Sequence, residues 1–180
     1  MVPGENPRPT PVDSAVVAAP APPASLRDPG LTYDATFSAY LDLSIEPADA
    51  DGVVRASLPV RDDLKQLMGI LHGGIYAAVA EEVASVATAE AVLPDGRVGL
   101  GQSNLTHFLR PVTGGTLTAV ATPQHRGRTS WVWSIEMLDD DGRRCAVSTV
   151  TMAVRPVPVG GEAPAPPPVL RKPESRRPVP

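Results

Sequence analysis

An α+β fold, with one enclosed helix packed against a mostly antiparallel sheet of about six strands, is predicted by three features of the sequence. Residues 73–94 form one long alanine-rich stretch that is apolar on nearly every face, which implies enclosure rather than a surface position. Four segments after it, 98–109, 116–124, 129–138 and 143–154, carry the alternation and residue types of strands. Proline, 22 of 180 residues, is crowded toward the ends, with 8 in residues 1–30, 9 in 156–180 and only 5 in 31–155. The folded domain is therefore expected over 31–155. Residues 1–30 are expected to be a disordered Pro/Ala-rich tail, and 156–180 a disordered Pro-rich tail made basic by Arg171, Lys172, Arg176 and Arg177. A hydrophobic content of 42% supports one core of that size.

Each element has its own signal. Phe37 to Tyr40 suits a short helical turn. Leu41 to Ile45 and Val53 to Leu58 alternate apolar with polar residues across the turn-prone PADADG, which predicts a hairpin. The long helix begins at Gly73-Gly74 and is stopped by Pro94. In the strand over 129–138, Trp131, Trp133, Ile135 and Met137 share one face, and Ser134 and Glu136 the other. Asp139 to Gly142 (DDDG) then marks a hairpin. Gly99-Leu100-Gly101 leads into a strand rather than a helix, so it is not a dinucleotide fingerprint.

Charge and composition exclude several classes of function. A net charge of −4 and a pI near 5.3 argue against a protein that coats nucleic acid or an anionic membrane, because both partners need a broad basic surface. No apolar run is long enough for a membrane span, and the N-terminal residues lack the pattern of a secretory signal. A lone cysteine, Cys145, fits a reducing cytoplasm and is most simply a packed strand residue. His72, His107 and His125 have no ligand spacing, so no metal is expected.

Chemistry is expected where the sequence breaks its own pattern. Glu81 and Glu82 lie inside the apolar helix, where an unpaired charge is costly. Helical spacing puts Glu81 near the stripe of Gly74, Ser85 and Thr88, whereas Glu82 is turned by about 100° toward solvent or a subunit edge. The helix opens on His72-Gly73-Gly74, and glycine there lets another group approach the unpaired first N–H groups at the positive end of the helix dipole.

The string HGGIYAAVAEEVASVA, preceded by LMGIL and followed by NLTHFLRPV, resembles the PaaI-like branch of the hotdog-fold acyl-CoA thioesterases, which includes 4-hydroxybenzoyl-CoA thioesterases. The resemblance covers about residues 41–155 and extends to His125-Arg126-Gly127-Arg128-Thr129 and the late Asp-Gly hairpin. It implies a long helix wrapped by a curved sheet, homodimers or homotetrameric dimers of dimers, and active sites at the dimer interface. It also implies a role for each matched residue. Glu81 would be the catalytic carboxylate, as nucleophile or general base, and Gly73 the N–H that polarises the thioester carbonyl. His72 would brace the turn, Gln66 assist near the thioester, and Ser85 help position water or the carboxylate. Gly74, Asn104, Arg110, Arg126, Arg128, Thr129 and Ser130 would contact substrate, the arginines through coenzyme A phosphates. No cofactor is implied, since coenzyme A is part of the substrate. Two alternatives stay open: a hotdog acyl-thioester hydratase or dehydratase, and a non-catalytic acyl-CoA-binding hotdog protein.

Overall fold

The computed structural model describes residues 32–157; most of both expected tails lies outside the described residues. A short helix, α1 (Phe37–Leu41), starts under a Thr36 cap and ends at Asp42, whose φ of 55° turns the chain left-handed. That turn shortens the expected first strand. Leu41 closes α1 instead of opening a strand, and β1 is only Ser44–Ile45. β1 pairs antiparallel with β2 (Val54–Pro59), and the Asp49 carboxylate accepts the N–H groups of Asp51 and Val53 to hold the intervening turn.

The long helix α2 (Gly73–Val92) follows a loop, and then come β3 (Arg97–Phe108), β4 (Thr116–Arg126), β5 (Ser130–Leu138) and β6 (Arg144–Pro156). β6 keeps its pairing as far as Pro156, which reaches into the segment that proline content assigns to the tail. All pairings are antiparallel, in the order β1-β2-β4-β5-β6-β3, so the expected six strands form one curled sheet with β1 and β3 at its edges.

α2 packs on this sheet because it is apolar all round. Tyr76, Val79, Ala80, Val83, Ala84 and Val92 are buried against Leu58, Leu117, Ile135, Met137 and Met152 of the sheet. The face of β5 read from the sequence is the one buried, with Trp133, Ile135 and Met137 almost wholly enclosed. Cys145 is buried on β6, and its Sγ faces the Arg143 carbonyl. Among the described residues no helix is long and apolar enough to cross a membrane.

β3 departs from simple alternation. Its register against β6 slips between Gly101, opposite Met152, and Ser103, opposite Thr151, which leaves Gln102 as the extra residue of a β-bulge. Before the bulge, Gly99 and Gly101 face α2: a Cβ on Gly99 would stand 2.7 Å from Thr88 Cγ2, and one on Gly101 would stand 3.4 Å from Glu81 Oε1. After it, Asn104 and Phe108 take over that face, toward Ala77 and Gly73.

Candidate active site

Three backbone facts shape the start of α2. His72 is the N-cap, and its Nδ1 accepts the Gly74 N–H at 2.9 Å while its carbonyl accepts the Ile75 N–H at 2.9 Å. Gly74, expected as a substrate contact, therefore already uses its N–H within the chain. The Gly73 N–H takes up none of the hydrogen bonds among the described residues. Of the first three amides of the helix it is the one left for an incoming oxygen, and it lies at the positive end of a 20-residue helix. Glycine leaves room there for the Phe108 ring, which a Cβ would meet at 3.1 Å.

Gly73 opens onto a cavity of about 370 Å³, whose walls include Gln66, Leu71, Tyr76, Phe108, Leu109 and Arg110. That volume suits a small organic group. Gln66 sits at the base of a tight turn, where its N–H donates to the Ile70 carbonyl and its carbonyl accepts the Gly69 N–H. Leu67 and Met68 at the tip are fully exposed. The Tyr76 hydroxyl is buried without a hydrogen-bond partner, and burial pushes its pKa up to about 12. Tyr76 and Phe108 lie with ring centroids 5.8 Å apart.

Glu81 lies two turns further along α2, half-buried, facing β3. The Ser85 hydroxyl donates to its Oε1 at 2.6 Å, as spacing of four residues allows. Its neighbour Glu82 differs from expectation, for it is not a solvent-facing residue. Glu82 lies under the segment that carries α1, and burial holds its carboxyl above the usual range, helped by the charge of Glu81 and opposed by a hydrogen bond from Ser38. Rotation by 100° does carry Glu82 away from Glu81's surroundings, but the N-terminal segment occupies the place that solvent was expected to fill.

The expected site residues fall into two groups. Gln66, His72, Gly73 and Arg110 gather at the start of α2. Glu81 is about 12 Å and Ser85 about 18 Å further along the helix axis, and Glu81 does not line the Gly73 cavity. The β4–β5 turn with Arg126, Arg128, Thr129 and Ser130 lies at the far end of β4, whose other end, Thr116, pairs with Pro59. Within it, the Arg126 guanidinium stacks 5.3 Å over Trp131 and donates to the Asp51 and Gly52 carbonyls, while Arg128 is exposed and makes no ion pair among the described residues. The Thr129 carbonyl accepts the Val154 N–H and the Arg155 guanidinium. Asn104 donates to the Ala77 carbonyl at 2.8 Å.

Tyr76, Phe108 and Leu109 were not singled out by sequence reasoning, although they line the cavity. The available signal was apolar bulk beside the glycine pair, which reads equally well as ordinary core.

Residues 68–146 match the Thioesterase superfamily. The Mycobacterium tuberculosis protein Rv1847 is 36% identical over 124 residues, which is 68% of this chain and 88% of that protein. Thioesterase HI1161 of Haemophilus influenzae superposes with a TM-score of 0.62 at 34% identity, over 66% of this chain and 82% of that one. The Staphylococcus aureus thioesterase SAV0944 gives a TM-score of 0.62 at 30% identity, over 66% of this chain and 97% of that one. SAV0944 has been crystallised as a glutamine-to-alanine and as a glutamate-to-alanine variant at positions fifteen residues apart, which is also the spacing of Gln66 and Glu81 here. With a helix wrapped by a six-stranded sheet and relatives matched over most of their length, the chain belongs to the hotdog-fold thioesterase superfamily and is a thioester hydrolase.

Proposed function

We propose that the chain hydrolyses acyl-CoA thioesters to the free acid and coenzyme A, in a site that two copies build together. The separation of Gly73 from Glu81 carries this reading. A carbonyl oxygen held at the Gly73 N–H is out of reach of a carboxylate about 12 Å away along the same helix, so a second copy must bring its own Glu81 to it. The edge strand β3 supports such a pairing, since it leaves a row of backbone groups unpaired and exposes Leu100, Leu105 and Phe108 at 50%, 60% and 59%. Pairing of two chains at this edge gives a dimer, and a second, different two-fold contact gives a dimer of dimers.

In this arrangement the Gly73 N–H and the Gln66 amide receive the thioester oxygen. Negative charge grows on that oxygen in the transition state, so a fixed donor stabilises the transition state more than the substrate, and losing one costs ~10²–10³ in rate. Glu81, oriented by the Ser85 hydroxyl, has two routes open to it. As a nucleophile it forms a mixed anhydride as the thiolate leaves, and water then cleaves the anhydride. As a base it takes a proton from water, the hydroxide adds to the carbonyl, and the proton passes to the departing thiolate. Arg110 and Arg128, which have no ion-pair partner among the described residues, are suited to coenzyme A phosphates.

A panel of straight-chain and aromatic acyl-CoAs with a thiol-detecting reagent tests the reaction, alongside sedimentation at micromolar concentration. Release of coenzyme A by a dimer or larger assembly is the expected result. An active monomer, or no thiol release from any member of the panel, would overturn the reading.

A further inference from the structure

Three side chains form a directed path from the sheet to the turn of α2 that carries Glu81. The Thr106 hydroxyl donates to Asn104 Oδ1 at 2.8 Å, and the Asn104 amide nitrogen donates to the Ala77 carbonyl at 2.8 Å. Thr106 Oγ1 is also 2.8 Å from Ser148 Oγ. Since the single proton of Thr106 is spent on Asn104, Ser148 is the donor in that contact. Ser148 is 3% exposed on β6, so the path starts from an anchored hydroxyl.

The end of the path explains its value. Helix geometry gives the Ala77 carbonyl a second duty, because it accepts the N–H of the residue four positions on, which is Glu81. Asn104 uses its remaining lone pair. A carbonyl in mid-helix is already satisfied, so the fold does not require this second hydrogen bond. Its effect is to fix the position of one helical turn relative to β3, and that turn begins the backbone of Glu81. Thr106 matters by orientation: with its proton pointed at Oδ1, the Asn104 amide is held with its NH₂ toward the helix. By taking up Gln102 as an extra residue, the bulge keeps Asn104, opposite Val150, on this face.

We propose that Asn104 is a positioning residue for Glu81, acting through the Ala77 carbonyl, with Thr106 and Ser148 holding its amide in the donating orientation. This rests on the reading of Glu81 given above.

The test compares Asn104→Asp with wild type in acyl-CoA hydrolysis, in the wild-type and Glu81→Gln backgrounds. Aspartate keeps the shape of asparagine but turns an acceptor toward the Ala77 carbonyl. The expected result is a kcat lower by ~10–10², the scale of a misplacement of about an ångström, with KM and Tm near wild type. In the Glu81→Gln background the same substitution should change the residual rate less than twofold (~2). Thr106→Val should lower kcat in the same direction by a smaller factor, and it serves alone if Asn104→Asp does not fold. A rise in KM at constant kcat would make Asn104 a substrate contact, and an equal loss in both backgrounds would make its role general to the fold; either overturns the proposal. Wild-type turnover by Asn104→Asp with an inactive Glu81→Gln defeats this proposal alone, whereas wild-type turnover by Glu81→Gln defeats the reading beneath it.

Discussion

Trp133 on β5 donates its indole N–H to Thr88 Oγ1 on α2 at 2.9 Å, while the Thr88 hydroxyl donates to the Ala84 carbonyl at 2.7 Å. Both residues are buried, so this hydroxyl fixes the rotation of the helix against the middle of the sheet. Thr88→Val keeps the shape and strands the indole N–H without a partner. Stability should fall by about 1–3 kcal/mol in urea titration, and a change within error would mean that Trp133 finds another acceptor.

The same threonine limits the strand opposite. A Cβ on Gly99 would stand 2.7 Å from Thr88 Cγ2, closer than packed carbon atoms tolerate. Gly99→Ala should therefore destabilise the protein by about 1–3 kcal/mol, despite the usual preference of strands for alanine over glycine. Thermal unfolding that matches wild type would show that helix and strand separate freely at this point.

Two adjacent glutamates should behave differently. Glu81→Gln removes the charge needed by a nucleophile or a base, and kcat should drop by ~10²–10⁴ with substrate still bound. Glu82→Gln should leave kcat within a small factor. Steady-state kinetics on both variants decides, and an essential Glu82 would mean that the assignment is off by one residue.

Glu82 has its own signature, in stability. Burial, reinforced by the Glu81 charge, raises its carboxyl above the ordinary value, so the folded protein holds that proton more tightly than the unfolded chain does. Its ionisation then opposes folding: stability is highest where the group is protonated and is lost as pH rises from the unfolded value through the raised folded one. Glu82→Gln should therefore have a higher Tm than wild type at neutral pH, and the gap should close as pH falls below the ordinary value of 4.5. A gap that persists unchanged into acid would mean a cause other than this titration.

The two arginines of the β4–β5 turn should separate as well. Arg126 is held by Trp131 and two carbonyls, so its loss should cost stability, about 0.5–1 kcal/mol for an exposed cation–π contact. Arg128→Ala should instead raise KM for acyl-CoA and leave a short thioester without the nucleotide unaffected. Equal effects on the two substrates would remove Arg128 from phosphate binding.

Much of this was legible in the sequence because it rests on local rules. Pro94 ends the regular turns of α2, with a 3-10 turn over Leu93–Asp95 at that point, and the alternation of Trp131 to Met137 names the buried face of β5. The glycine pair after His72 marks the free amide. What was not legible depends on long-range packing. Nothing near Glu82 in the chain signals that residues forty positions earlier lie over it. Arg126 looks like any other strand-end arginine until β4 brings it beside Gly52. Gly99 and Gly101 were read only for what they are not, because the helix they accommodate passes over them in space, not in sequence.

The bulge at Gln102 means that β3 is written in two phases. Odd-numbered residues face the helix up to Gly101, and even-numbered ones from Asn104 onward, so no single period scores the strand correctly. Deleting Gln102 would join Gly101 to Ser103 opposite Met152 and Thr151, which are already consecutive, so the strand would pair regularly and Asn104, Thr106 and Phe108 would still face α2. The bulge thus absorbs a residue, and the side chains that α2 meets are set by pairing with β6 rather than by odd or even position in the chain. In a natural or engineered relative, a gap at this position should therefore leave the same wall to the site, with the bulge ironed out.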